Sequence, residues 1–108
     1  MTTLVTGDDV AVPVKLKKDG LTFNIPLTAT IQAAIVSADH SQTLAGPVAV
    51  LSSAAGSDWA NSLVVAKFTS AQTDGILEYK PALLEVEVND NGRQTWFGDV
   101  RIVKGQIA

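Results

Sequence analysis

Cysteine is absent from this 108-residue chain, and histidine, methionine and tyrosine each occur once. Without cysteine there is no disulfide framework and no thiol nucleophile. One histidine without cysteine leaves no ligand set for zinc. Basic residues are few: eight Lys and Arg against eleven Asp and Glu give a net charge of −3. That balance argues against a nucleic-acid binder, which needs a basic face. No apolar run approaches the ~18 residues of a membrane helix, so no membrane partner is expected. No basic tract precedes an apolar stretch, so no secretory signal is expected. Charge is also too sparse for disorder: 18% of residues are charged and 46% hydrophobic, the balance of a chain that buries a core. The length suits one domain.

What the sequence has is alternation. In residues 10–17, Val10, Val12, Val14 and Leu16 are apolar between Pro13, Lys15 and Lys17. Period two marks a strand with one buried face. Pro13 has no N–H for a ladder, which predicts an edge strand or a bulge, and the lysines discourage edge-to-edge pairing. Lys18-Asp19-Gly20 reads as a turn. Leu21, Phe23 and Ile25 alternate again before Pro26 interrupts. Residues 28–36 form a further strand, with Ala29, Ile31, Ala33 and Ile35 on one side. Residues 37–46 read as a polar connection, 47–51 as a short strand and 52–58 as a loop of small residues. Residues 62–69 are apolar on both faces, which predicts a central strand. Residues 70–72 hold the one helical turn expected, too short to stand alone.

The last third is the most explicit. Leu84, Val86 and Val88 alternate with Glu85, Glu87 and Asn89, then a polar turn leads into residues 94–103. A two-residue Asn91-Gly92 turn would set Val86 against Phe97 and Val88 against Thr95. A three-residue loop, Asp90 to Gly92, sets Val86 against Trp96, Val88 against Gln94 and Leu84 against Gly98. The second register collects more apolar side chains and places Gly92 at the left-handed position such loops need. It also turns Phe97 outward, among Glu85, Glu87, Thr95, Asp99 and Arg101. The whole reads as about seven strands in an antiparallel sandwich or small barrel. Residues 1–9, polar and bearing Asp8 and Asp9, read as a flexible arm; residues 10–108 form the single β domain.

Chemistry-bearing constellations are thin. Asp39-His40-Ser41 names the three members of a hydrolase triad, but neighbours in sequence point apart and cannot make serial hydrogen bonds. His40 reads as a loop histidine in water. Glu87, Asn89, Asn91 and Gly92 faintly echo a calcium loop, yet the twelfth position holds Gly98 where a bidentate carboxylate is needed; a hairpin turn explains the same letters. Glu85 and Glu87 share a strand face about 7 Å apart at Cα, within the range of paired catalytic carboxylates. Alternate acids on a solvated strand are the plainer reading. Lys15, Lys17 and Lys18 read as a solvated strand end. No catalytic residue, metal ligand or cofactor is expected. Trp96 is expected inward. Trp59 follows the small-residue loop and either caps the core or sits exposed. An outward Phe97 beside charged residues suggests a protein contact. The candidate interface residues are therefore Phe97, Trp59, Glu85, Glu87 and Arg101.

The order of features resembles that of a known group. Asp9-Val10 opens a strand, Lys18-Asp19-Gly20 turns it, residues 27–36 follow, then residues 63–68 run into Thr69-Ser70-Ala71-Gln72-Thr73. Ala82-Leu83-Leu84-Glu85-Val86-Glu87-Val88, a glycine turn and a strand from Thr95 to Val103 close the chain. From about Asp8 to Ile107 this resembles the immunoglobulin-like domain at the amino-terminal end of upper baseplate proteins, and of small tail and virion proteins, of tailed bacteriophages. The resemblance implies an immunoglobulin-like antiparallel β-sandwich of about seven strands. It implies a structural virion protein of tail, baseplate or capsid, bound to other copies of itself and to neighbouring virion proteins, with no catalytic residues. Because the sequence stops at Ala108, a free-standing subunit is expected rather than a receptor-binding fibre. Residues 1–9 and 105–108 are expected to order on assembly. The alternative is a carbohydrate- or receptor-binding β-sandwich module, which asks for exposed aromatics grouped on one face.

Overall fold

A computed structural model describes residues 2–76 and 81–103. Among these residues seven strands run in chain order as β1 (Thr2–Val5), β2 (Val10–Lys15), β3 (Thr30–Ser37), β4 (Thr43–Val50), β5 (Leu63–Phe68), β6 (Ala82–Asn89) and β7 (Arg93–Val103). They form a five-stranded sheet in the order β1-β7-β6-β3-β4 and a two-stranded sheet, β2-β5. The alternating residues supply the core. Leu84, Val86 and Val88 from β6, Ile31, Ala33 and Ile35 from β3, and Val100 and Ile102 from β7 face Val12, Val64, Ala66 and Phe68 of the small sheet in one apolar cluster. The fold is all-β, as the alternation predicts.

The hairpin follows the three-residue loop. Val86 lies opposite Trp96, Val88 opposite Gln94, Leu84 opposite Gly98 and Glu85 opposite Phe97. The left-handed residue is Asn91, at φ 56°, while Gly92 takes φ 155°. Asparagine tolerates the left-handed region where most side chains do not. The helical turn forms as α1 (Ser70–Thr73), closed by a capping box: Thr69 Oγ1 accepts the Gln72 N–H and Gln72 Oε1 accepts the Thr69 N–H.

Five expectations are corrected. The large sheet is mixed, because β1 pairs with β7 in parallel, Thr2 opposite Val100 through Val5 opposite Val103. Residues 2–5 are consequently an edge strand and not a loose arm, with Leu4 only 1% exposed. Asp8 and Asp9 tie the following turn down: the Asp8 carbonyl accepts Thr73 Oγ1 at 2.6 Å, and the Asp9 carboxylate accepts the Ser70 N–H. Residues 105–108 lie outside the described residues.

The alternation at Leu21, Phe23 and Ile25 does not make a strand. Leu21 closes a tight turn with Lys18 and is 70% exposed. The Phe23 N–H goes to Ser62 Oγ and the Ile25 N–H to the Trp59 carbonyl, single acceptors that leave no ladder to extend. The polar connection after β3 is shorter than expected, since β4 starts at Thr43. Gly46 and Pro47 sit inside β4, joined by a cis peptide bond, where the β3–β4 register shifts; a glycine and a proline inside a strand mark such an irregularity. Finally, β5 is mostly apolar on both faces, but among the described strands it pairs with β2 alone. On its second face Val65 is buried near Gly56, whose added Cβ would stand 3.8 Å from it, while Lys67 is exposed.

Candidate functional site

The outer face of the large sheet gathers most of the candidate residues. Along β7, odd-numbered residues face outward, and Phe97 stands 48% exposed directly across from Glu85. Glu87, two residues along β6, lies opposite Thr95 and meets Arg93 at 3.6 Å. Both partners reach solvent, and an exposed pair of this kind contributes about 0–1 kcal/mol. Arg101 shares the face but sits opposite Thr3 of β1; four residues of strand put it about 13 Å from Phe97 at Cα. Phe97, Glu85 and Glu87 are thus brought together, with Arg101 at the far end of the face. Trp59 is not part of the patch. It is 6% exposed in a 3₁₀ turn (Trp59–Asn61) at the core, where it offers no side-chain surface to a partner. A large aromatic after a run of small residues caps a core well, because it removes so much apolar area from water.

His40 joins the patch, which its loop position did not suggest. Its ring meets the Phe97 ring edge-on, centroids 4.7 Å apart at 73°. Its backbone is left-handed, φ 63°, at the end of the β3–β4 turn. Two shallow clefts open beside it, both reaching Thr43 and Glu85: one of about 170 Å³ adds Gln32, Pro47 and Glu87, the other of about 160 Å³ adds Val36, His40 and Ser41.

The Asp39-His40-Ser41 trio is a turn lock. Asp39 Oδ1 accepts Ser37 Oγ at 2.7 Å, Ser41 Oγ at 2.7 Å and the Ser41 N–H at 3.0 Å. The Ser41 hydroxyl serves the carboxylate and the imidazole turns to Phe97, so the serial order of a catalytic triad is not built. Hydrogen bonds from Ser37 first, then Ser41, hold the Asp39 carboxyl down at about 2, against an ordinary 3.8. The lowered pKa has a definite sign for stability. The lock is complete above the ordinary carboxylate value and is lost as pH falls through about 2. A carbon-detected titration of Asp39 is expected to show that low midpoint, and Ser37→Ala to move it upward. An unchanged midpoint in the variant would show that Ser37 is not the chief cause.

Two further clefts flank β7. One of about 380 Å³ runs between Pro13–Lys15 on β2 and Trp96, Gly98 and Asp99 on β7. Another of about 260 Å³ is walled by Phe23, Asn24, Asp90, Asn91 and Arg93. Phe23 stacks on Trp96 at 5.8 Å, with Lys18 Nζ 4.5 Å above the Phe23 ring. Trp96 packs against the core but is only half-buried, short of the core position expected, and donates its indole N–H to the Lys17 carbonyl at 3.0 Å. Sequence reasoning did not foresee these aromatic neighbours, since alternation assigns a face but not a contact across two sheets. A scan against protein-family models finds no match, and no curated protein matches the chain.

Proposed function

We propose that this protein is a structural subunit of a tailed-bacteriophage virion, made in the bacterial cytoplasm and assembled in the tail, baseplate or capsid. In this reading the two β layers are an immunoglobulin-like sandwich, and the partners are other copies of the chain and neighbouring virion proteins. The observation that carries it is Phe97, a large aromatic held in solvent on a sheet face, flanked by His40, Glu85 and Glu87. Half-exposed aromatics ringed by charge suit a contact that closes on assembly. The order of strands and turns from Asp9 to Val103 supports the virion setting. No catalytic role or cofactor belongs to this reading.

The test is mass in solution, by size-exclusion chromatography with light scattering over a wide concentration range. A discrete oligomer is expected, reduced in mass by Phe97→Glu. A strict monomer throughout would overturn self-assembly. A second reading, glycan binding, draws on the 260 Å³ cleft, where Phe23 stands beside Asn24, Asp90, Asn91 and Arg93. Saturable binding to a glycan array, abolished by Phe23→Ala together with Asp90→Ala, would favour it over the subunit reading.

A further inference from the structure

Most open strand edges of this fold are defended. β2 carries Pro13 and Lys15, β4 carries Pro47 and a register shift, and β1 is four residues long. Proline, lysine, bulges and shortness are the usual means of blocking edge-to-edge pairing. One stretch has none of them. β1 covers β7 only from Val100 to Val103, so residues 93–99 present a bare edge among the described residues. They read Arg-Gln-Thr-Trp-Phe-Gly-Asp, without proline or lysine, and all but Trp96 are exposed.

The direction of the edge groups follows from one bond. The Val103 carbonyl accepts the Thr6 N–H on the β1 side. Backbone groups alternate sides along a strand, and the β6–β7 register is unbroken. Arg93, Thr95, Phe97 and Asp99 therefore aim both N–H and C=O at the open edge.

We propose that this edge pairs with the same edge of a second copy, antiparallel about a two-fold axis at Trp96, joining the two five-stranded sheets into one. The proposal rests on the self-assembly reading and names the surface that performs it. The open window starts at Arg93, just after the hairpin loop, and stops at Asp99, just before β1, so full overlap requires Trp96 opposite Trp96. That register also matches charge. Arg93 of one copy lies across from Asp99 of the other on the outer face, twice by symmetry, and Thr95 lies across from Phe97. Opposite charges across a strand pair favour it and like charges oppose it. Slipping by two residues one way sets Arg93 against Arg101; slipping the other way sets Arg93 against Phe97 and leaves Asp99 without a charged partner. On the inner face Gln94 meets Gly98, beside the 380 Å³ cleft.

The chain has no cysteine, so engineered thiols report without background. Positions 94 and 98 form a non-hydrogen-bonded pair across the axis, close enough for a disulfide, and a Cβ at Gly98 meets nothing within 4 Å. Under mild oxidation, an equimolar mixture of Gln94→Cys and Gly98→Cys proteins is expected to cross-link into mixed dimers, while neither cross-links alone. Thr95→Pro should give a folded monomer, because the N–H it removes faces the open edge and not β6. An oligomer that fails to cross-link, or a Gly98→Cys protein that links to itself, overturns the edge and its register while leaving self-assembly intact. A wild-type monomer at every concentration overturns both.

Discussion

Ser62→Ala is expected to lower the unfolding free energy by about 2–4 kcal/mol, the combined cost of a buried carbonyl and a half-buried N–H losing their partner. Ser62 is fully buried and joins three segments. Its hydroxyl donates to the Leu16 carbonyl at 2.5 Å and accepts the Phe23 N–H at 3.4 Å, while its carbonyl accepts the Leu16 N–H at 2.9 Å. This one side chain holds the end of β2 and the irregular 21–25 segment against the start of β5. Alanine leaves the Leu16 carbonyl orphaned in the interior and the half-buried Phe23 N–H without its acceptor. For a domain of this size the melting temperature should fall by roughly 10–20 °C. Ser62 also sits at φ 57°, in the left-handed region. Ser62→Gly loses the same hydrogen bonds but relieves that backbone, so it should retain about 1 kcal/mol more stability than alanine. Thermal and urea melts of both variants decide the matter. An alanine variant within about 0.5 kcal/mol of wild type would show that water replaces the hydroxyl freely.

Gly46→Ala should cost a similar amount, about 2–4 kcal/mol, for a different reason. Gly46 is at φ 85° inside β4, and a Cβ there would lie 3.0 Å from the Ala33 carbonyl oxygen and 3.1 Å from the Val48 nitrogen. Both obstacles are backbone. Ala33 belongs to β3, held on both sides by β4 and β6, so it cannot retreat without breaking a ladder. Gly20→Ala separates the two contributions. Gly20 has φ 78° but open space around it, so only the left-handed penalty of about 1 kcal/mol remains. Urea denaturation of the two variants should place Gly46→Ala well below Gly20→Ala. Equal losses would mean that β4 shifts to admit the methyl group.

Legibility in the sequence tracked locality. The β6–β7 hairpin was readable down to its register because alternation and turn chemistry lie within twenty-odd residues of each other, and the wrong loop length strands Phe97 against Val86. Phe97 outside and Trp96 inside follow from that register. β1 was not readable. Four residues, Thr2–Val5, carry little pattern, and what makes them a strand is β7 at the other end of the chain. The 21–25 segment erred in the opposite sense. Its alternation is real, and Ile25 is buried, but the acceptors it finds at Trp59 and Ser62 are isolated groups and not a strand. The candidate patch was half visible. Glu85, Glu87 and Phe97 share a face by arithmetic, whereas His40 reaches Phe97 only because β3 lies next to β6 and its turn folds over the outer face. Trp59 had two readings in the sequence, and the interior claimed it.

The parallel pairing of the first and last strands has a mechanical meaning. A load entering through residue 2 and leaving through residue 103 pulls β1 and β7 in opposite directions along their common axis. Their four paired positions then share the strain together, as a lap joint does under shear, instead of parting one after another like a zipper. A chain built this way resists tension between residues 2 and 103 through the same few bonds that close its sheet.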